Sequence, residues 1–158
     1  MTDMQKHFMQ MAIDLGKEGM EAGKGGPFGC VIVKDGKVIG KGCNNVLKTN
    51  DPTAHAEVVA IREACKTLGN FQLDNCEIYA SCEPCPMCLG AIFWARPARV
   101  FYAGTKEDAA DAGFDDEFIY REIELNPSDR KIPMLTMMRE EAQKVFEIWK
   151  NLEDKTLY

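Results

Sequence analysis

Two short segments of this sequence carry side chains that bind a metal ion, and they constrain the fold more than any other feature. The first contains the pattern H-x-E, with His55 and Glu57, and the second contains P-C-x-x-C, with Cys85 and Cys88. One imidazole and two thiolates form a three-ligand set for Zn²⁺, and three protein ligands leave a fourth position open, as in catalytic zinc sites. The chain must therefore fold so that these two segments meet.

The cysteine spacing predicts that a helix begins at the second segment. Cys85 and Cys88 are three positions apart, so on a helix they share a face and can bind one ion together. Pro86 is tolerated only near a helix start, where its missing N–H has no partner to lose. The helix dipole at that end favours thiolates over thiols, which suits metal binding.

Glu57 is predicted to act beside the metal ion instead of binding it. His55 and Glu57 are only two positions apart, so they do not stack on one helix face as residues three or four apart do. A carboxylate next to an open coordination position can accept a proton from a bound water. The arrangement therefore indicates catalysis.

Cys82 leaves a structural alternative open. The double C-x-x-C of Cys82, Cys85 and Cys88 would complete, with His55, a closed Cys₃His site. Against this, Cys82 ends an apolar segment typical of a strand, so its side chain need not point towards the helix start. A purely structural site also has no use for Glu57. These features favour the catalytic interpretation.

The composition predicts one ordinary globular domain covering residues 1–158. Hydrophobic residues make up 46% of the chain and charged residues 28%. The net charge of −6 disfavours a long nucleic-acid footprint, because an acidic surface repels phosphates. The first residues lack the basic start and apolar run of a signal peptide. Seven cysteines form an odd count without secretory context, so we expect a cytoplasmic protein without a disulfide framework and without a membrane span.

Hydrophobic periodicity predicts helices and strands that alternate along most of the chain. Helices are expected at 4–22, 55–68, 85–96 and 106–112, and a final helix includes 145–152. Strands are expected at 30–34, 37–40, 77–80, 99–103 and 133–138. The first two strands form a hairpin through Asp35 and Gly36. This order predicts an α/β fold in which helices cover a mixed sheet.

Two irregular stretches are harder to interpret. The glycine-rich segment 23–29 lacks the G-K-[S/T] ending of a phosphate-binding loop and precedes a strand, so a phosphate site is not expected there. Residues 113–120 place acidic side chains between aromatic ones and are predicted to form a loop, from which Asp116 can reach a pocket. Asn44 follows the second strand, where a sheet edge can deliver a polar group to a pocket.

Longer stretches around these motifs resemble the cytidine-deaminase-like superfamily of zinc enzymes. The resemblance lies in residues 25–29, 50–57 and 81–92. Residues 94–97 and 112–116 are similar to the bacterial guanine deaminases within that superfamily. The similarity covers most of residues 1–122 and becomes thin beyond them.

The resemblance implies a three-layer α/β/α fold with a mixed sheet, and Zn²⁺ held by His55, Cys85 and Cys88. It also implies a homodimer in which the C-terminal segment, about residues 123–158, is exchanged and closes the partner's active site. The remaining implied contacts concern the substrate, a free nucleobase. Asn44 would contact the purine, Phe28 and Trp94 would line its faces, Asp116 would bond its edge and relay a proton, and Tyr158 would close the pocket. For Phe28 and Trp94, plain core packing is an equal alternative.

The implied reaction is hydrolytic deamination. Glu57 takes a proton from the attacking water and returns protons to the ring nitrogen and the departing ammonia. Guanine presents N–H donors along one edge, and a carboxylate such as Asp116 is the acceptor that this edge requires. Alternatives within the superfamily are a tRNA adenosine deaminase and a cytosine or other small-base deaminase. An alternative of another class is a zinc-stabilised binding module without catalysis, which Glu57 disfavours.

Overall fold

The computed structural model describes all residues, 1–158, and the chain divides into two compact units, Met1–Asp116 and Glu117–Tyr158. The helices of the first unit are α1 (Asp3–Glu21), α2 (Val46–Thr49), α3 (Ala56–Leu68), α4 (Pro86–Ala95) and α5 (Lys106–Asp111). Its strands are β1 (Gly29–Lys34), β2 (Lys37–Cys43), β3 (Cys76–Cys82) and β4 (Arg99–Gly104). The second unit contains α6 (Glu117–Glu124), a short 3₁₀ turn (Pro127–Asp129) and α7 (Arg139–Lys150).

The four strands form one mixed sheet in the order β2-β1-β3-β4. β1 pairs antiparallel with both β2 and β3, whereas β3 and β4 are parallel. The start of β1 and the ends of β2, β3 and β4 therefore lie at the same edge of the sheet. The hairpin turn predicted at Asp35 and Gly36 is confirmed, because both residues have the positive φ (49° and 72°) that such a turn requires.

Helices cover both faces of the sheet, which confirms the predicted three-layer α/β/α architecture. On one face, Phe8 and Ala12 of α1 pack against Val31, Val33 and Tyr79. On the other face, α3 and α4 pack over a second cluster of buried side chains. That cluster contains Cys30, Ile32, Ala56, Ala60, Ala64, Leu73, Cys76, Ile78, Ile92 and Ala95.

Small residues form the contact surface between α3 and the sheet. Hydrophobic periodicity predicts that Val58, Ile61, Cys65 and Leu68 form the inward face of α3. In the structure, the fully buried hydrophobic residues of this helix are alanines. Ile61, Cys65 and Leu68 are only partly buried and pack at the edge of the cluster. The reason is the close approach of β2. A Cβ added at Gly40 would lie 2.5 Å from the Ala60 carbonyl oxygen, so larger side chains cannot occupy this contact.

The second unit departs most from the sequence-based expectations. Part of the expected loop at 113–120 is helical, since α6 begins at Glu117. The predicted strand at 133–138 is wrong, because this segment has no strand partner and the Met134 N–H instead bonds the Pro127 carbonyl at 2.9 Å. The final helix is present but ends at Lys150. No residue from Glu117 to Tyr158 is buried. Across both units, every helix is too short or too polar to cross a membrane.

Candidate active site

The site lies beyond the ends of β2 and β3, where the helices α3 and α4 begin. His55 is the N-cap of α3 and Cys85 is the N-cap of α4, both with extended backbone, and neither uses its side chain to cap the helix. Pro86 occupies the first turn of α4, as predicted. Both side chains are therefore available to a ligand, and Cys88 in the same first turn joins them.

The spacing of the three side chains fits a zinc ion. His55 Nδ1 lies 3.5 Å from Cys85 Sγ and 3.5 Å from Cys88 Sγ, and all three ligand atoms lie within 4.8 Å of one another. With Zn–S bonds of about 2.3 Å and Zn–N bonds of about 2.0–2.1 Å, tetrahedral angles place nitrogen and sulfur about 3.5–3.6 Å apart. The donor set also has the imidazole and thiolate chemistry that zinc prefers.

Cys82 does not join the three ligand atoms. Its Sγ donates a hydrogen bond to the carbonyl oxygen of Thr105 at 3.4 Å. The cluster that could hold a metal ion contains His55, Cys85 and Cys88 but not Cys82, which disfavours the closed Cys₃His alternative. A zinc ion held by these three side chains would keep an open fourth position, which is the feature that distinguishes catalytic from structural zinc sites.

The two thiols influence one another and the imidazole. A hydrogen bond between the two side chains lowers the pKa of Cys85 to about 4, and the same bond together with burial raises the pKa of Cys88. The bond with Cys85 also raises the pKa of His55. The lowered pKa favours the thiolate of Cys85 near neutral pH, and a bound metal ion would displace the proton of Cys88.

Glu57 lies against this cluster in the first turn of α3. The residue is 8% exposed, and its Oε2 accepts a hydrogen bond from Cys88 Sγ at 3.4 Å. Burial raises the pKa of its carboxyl group. The carboxylate is adjacent to the three ligand atoms without being one of them.

Asn44 occupies the neighbouring end of β2. The residue is 6% exposed, and its backbone N–H donates to the Phe28 carbonyl at 2.9 Å. Its side-chain oxygen accepts from the Val46 N–H at 3.1 Å, so the amide NH₂ is left to donate. The glycine-rich loop passes directly over this amide, because a Cβ at Gly25 would collide with Asn44 Oδ1.

Two aromatic rings meet at the glycine-rich loop. The rings of Phe28 and Phe114 meet edge to face with centroids 4.9 Å apart. A Cβ at Gly26 would lie 2.9–3.0 Å from both rings, which explains why this loop position is a glycine. Phe28 also packs against the core cluster beneath the site, so its ring has both a packing role and a face near the loop.

No local pattern in the sequence marks Phe114, Gly25 or Gly26 individually as a site residue. The available signal was the position of Phe114 between a glycine and two acidic residues, in the segment that carries Asp116. Such a signal does not identify a partner ring, because Phe28 and Phe114 are far apart in the chain.

The remaining predicted substrate residues differ in their surroundings. Burial raises the pKa of Asp116, and the charge of Cys85 raises it further, so this carboxyl group is within electrostatic range of a metal ligand. Trp94 lies near the end of α4 and is 64% exposed, which rules out plain core packing for this side chain. Tyr158 is 68% exposed and belongs to the second unit. The contacts of these three side chains with a nucleobase stay predictions.

Comparison with known proteins assigns the class. Residues 2–104 match the family model of the cytidine and deoxycytidylate deaminase zinc-binding region. The matched range contains the whole sheet, the three ligand residues and Glu57. The chain therefore belongs to this family of zinc-binding deaminases.

Within this family, the chain is more similar to guanine deaminase than to the tRNA-specific adenosine deaminase compared below. Over 151 residues, 96% of this chain and 97% of the relative, the sequence is 58% identical to the guanine deaminase of Bacillus subtilis. The X-ray structure of guanine deaminase from that organism matches with a TM-score of 0.95 at 56% identity, covering 100% of this chain and 99% of the other. A tRNA-specific adenosine deaminase from Aquifex aeolicus is 40% identical over 99 residues, 63% of this chain and 65% of that protein.

Proposed function

We propose that this protein is a zinc-dependent guanine deaminase, which converts guanine and water to xanthine and ammonia. The observation that carries the proposal is the 58% identity to a guanine deaminase over 96% of the chain. The site supplies the required parts: a three-ligand metal cluster with an open position, an adjacent buried carboxylate and neighbouring aromatic and amide groups.

We assign the zinc ion to His55, Cys85 and Cys88. When bound, the ion supplies Lewis acidity that lowers the pKa of a water molecule at its open position towards about 7. The remaining chemistry belongs to Glu57. Its carboxylate accepts one proton of the attacking water and donates it to ring nitrogen N3. It then accepts the second proton of that water, from the hydroxyl formed on C2, and donates it to the leaving amine, which departs as ammonia. The C2–N bond of guanine breaks and a C2–O bond forms.

Recognition of guanine follows from the donors and acceptors around the site. Guanine presents N1–H and a 2-amino group on one edge, and the Asp116 carboxylate accepts from that edge and relays a proton. The free NH₂ of Asn44 donates to an acceptor atom of the purine. We further propose that Phe28 and Trp94 line the faces of the base and that Tyr158 closes the pocket.

The substrate assignment is tested on a panel of guanine, cytosine, adenine, cytidine and a tRNA anticodon stem-loop. We expect guanine to be converted to xanthine and to be the best substrate. The net charge of −6 weakens binding to a polyanion such as tRNA, and cytosine offers a different donor pattern. Products are identified by chromatography. A clear preference for cytosine or the stem-loop would contradict the guanine assignment but not the zinc chemistry.

The Asp116→Ala variant tests the role of this carboxylate on the same panel. Loss of a hydrogen bond to a charged group costs about 1.5–3 kcal/mol, so guanine turnover is expected to fall by roughly 10- to 100-fold. Zinc content should not change, because Asp116 is not a ligand. Asp111→Ala removes an exposed carboxylate at the end of α5 and is the matched control. Equal guanine turnover by both variants would show that Asp116 does not contact the substrate.

We also propose that residues 1–158 form one deaminase domain that functions as a homodimer with an exchanged C-terminal segment. Large apolar side chains in the second unit support this proposal, since Ile132, Leu135 and Met137 are 80–83% exposed. On α7, Phe146 and Ile148 are 65% and 64% exposed. So many exposed large apolar side chains in one unit favour an interaction surface, and a second copy of the chain would form a symmetric dimer through it.

The dimer predicts twice the chain mass of 17.7 kDa in sedimentation equilibrium. Exchange is tested by co-expressing a Glu57→Gln chain with a Tyr158→Ala chain. If Tyr158 closes the partner's site, a mixed dimer contains one site with both native residues, and its activity exceeds that of either variant alone. A monomer in solution contradicts the dimer, and the absence of complementation contradicts the exchange.

The proposed compartment is the cytoplasm. None of the seven cysteines forms a disulfide, which is the state that a reducing compartment maintains.

A further inference from the structure

The peptide unit between Phe28 and Gly29 connects two parts of the site that come from different regions of the chain. Its carbonyl oxygen accepts the backbone N–H of Asn44 at 2.9 Å. Its N–H, at Gly29, donates to Ser81 Oγ at 2.9 Å. One rigid plane thus joins the end of β2, which carries Asn44, to the end of β3, which precedes the zinc-binding turn.

The Ser81 hydroxyl extends the sheet where the backbone ladder ends. β1 and β3 pair from Cys30 opposite Ala80, so Gly29 and Ser81 lie one step beyond the last paired residues. At this step the serine side chain, not a backbone carbonyl, receives the Gly29 N–H. Gly29 is buried, so without the hydroxyl this donor has no replacement from solvent.

The segment after Ser81 is fixed to the neighbouring strand. Cys82 Sγ bonds the Thr105 carbonyl at 3.4 Å, and the Glu83 N–H bonds the Gly104 carbonyl at 2.9 Å. Cys85 follows two residues later. The metal side of the site is therefore held to β4, and Ser81 is the hydrogen-bonding side chain that holds it to the start of β1.

We propose that Ser81 is a positioning residue that sets the distance between the Phe28–Asn44 side of the site and the Cys85–Cys88 side. Deamination requires the amino-bearing carbon of the base to lie within reach of the attacking water. Phe28 and Asn44 are proposed to contact the base on one side of the site, and the attacking water would be held on the other side, near Cys85 and Cys88. A misplacement of about 1 Å between the base and the water can lower the rate by roughly 100-fold. This inference rests on the proposed guanine deamination.

The test compares Ser81→Ala with Ser81→Thr, which keeps the hydroxyl and suits a strand position. We expect Ser81→Ala to lower kcat by roughly 10- to 100-fold, with a smaller change in KM, while zinc per chain stays at the wild-type value. Ser81→Thr should restore most of the rate. Ser128→Ala removes the exposed hydroxyl of the other serine, on the 3₁₀ turn, and should match the wild type.

Zinc content, the thermal unfolding midpoint and the two kinetic constants are measured on each variant, at a temperature where all are folded. A kcat for Ser81→Ala within twofold of the wild type overturns the proposal. Loss of zinc from this variant also overturns it, since Ser81 would then support the metal turn itself. A Ser81→Thr variant as slow as Ser81→Ala also overturns the proposal, because the slow rate would then not come from loss of the hydroxyl. If the wild type prefers another base, the proposed guanine deaminase function is wrong. The Ser81 variants are then compared on the preferred base, so the Ser81 proposal is still tested.

Discussion

Glu57→Gln is expected to retain zinc and to lose about 10²–10⁴ in turnover rate. Glutamine has nearly the same shape as glutamate but cannot accept and return a proton at neutral pH. Glu57 is the acidic residue of the first turn of α3 and bonds Cys88. No second carboxylate in that turn can replace it. Turnover is measured as ammonia release from guanine, and zinc per chain by elemental analysis.

Glu63→Gln is the matched control for this variant. Glu63 lies on the same helix, α3, where its carboxylate accepts the Lys41 N–H at 2.8 Å, and glutamine can accept the same bond. Its turnover should therefore equal that of the wild type. If Glu57→Gln lost its metal, Glu57 would have to be a ligand. If it turned over guanine at a near-normal rate, proton transfer would have to occur through another group.

Cys85→Ser is expected to lose both zinc and activity. A neutral serine hydroxyl does not replace a thiolate ligand, and the two remaining side chains, His55 and Cys88, bind the ion too weakly to retain it during purification. The effect on guanine turnover should therefore approach complete loss. The same change at Cys82 should have little effect, because a serine hydroxyl can donate to the Thr105 carbonyl in place of the thiol.

The pair of cysteine variants separates the two kinds of metal site. Zinc per chain and ammonia release are measured after identical purification, and both variants are checked for folding by circular dichroism. Zinc loss from Cys82→Ser would show that Cys82 is a fourth ligand and that the site is a closed structural one. Full zinc occupancy of Cys85→Ser would show that another side chain acts as the ligand.

Short-range patterns in the sequence predict much of the metal site, because each pattern is set by local geometry. The spacing of Cys85 and Cys88 and the position of Pro86 predict a helix start, and the structure has one there. The D-G turn at Asp35 and Gly36 is equally local. Residues that meet only through the fold leave no such trace. Ser81 contacts Gly29 across a separation of 52 residues, and no period or motif indicates that bond.

The errors in the C-terminal part have a related cause. Residues 133–138 have the apolar character of a strand, yet a strand requires a partner for its backbone groups. In this chain the Met134 N–H bonds the carbonyl of Pro127 within the same unit, and no ladder forms. Acidic residues at the start of α6, such as Glu117, are typical of a solvated loop but also suit a helix N-terminus, so the sequence predicts a loop where the structure has a helix.

The contact between α3 and β2 has a consequence for how this sequence can change over time. His55 and Glu57 lie at the start of α3, so their location depends on how closely the whole helix rests on the sheet. That separation is set by Ala60 and Gly40, which have no part in the chemistry. Adding one methyl group at Gly40 would displace the helix and carry both functional side chains with it. Neutral drift should therefore be as restricted at the contact between Gly40 and Ala60 as at the ligands themselves.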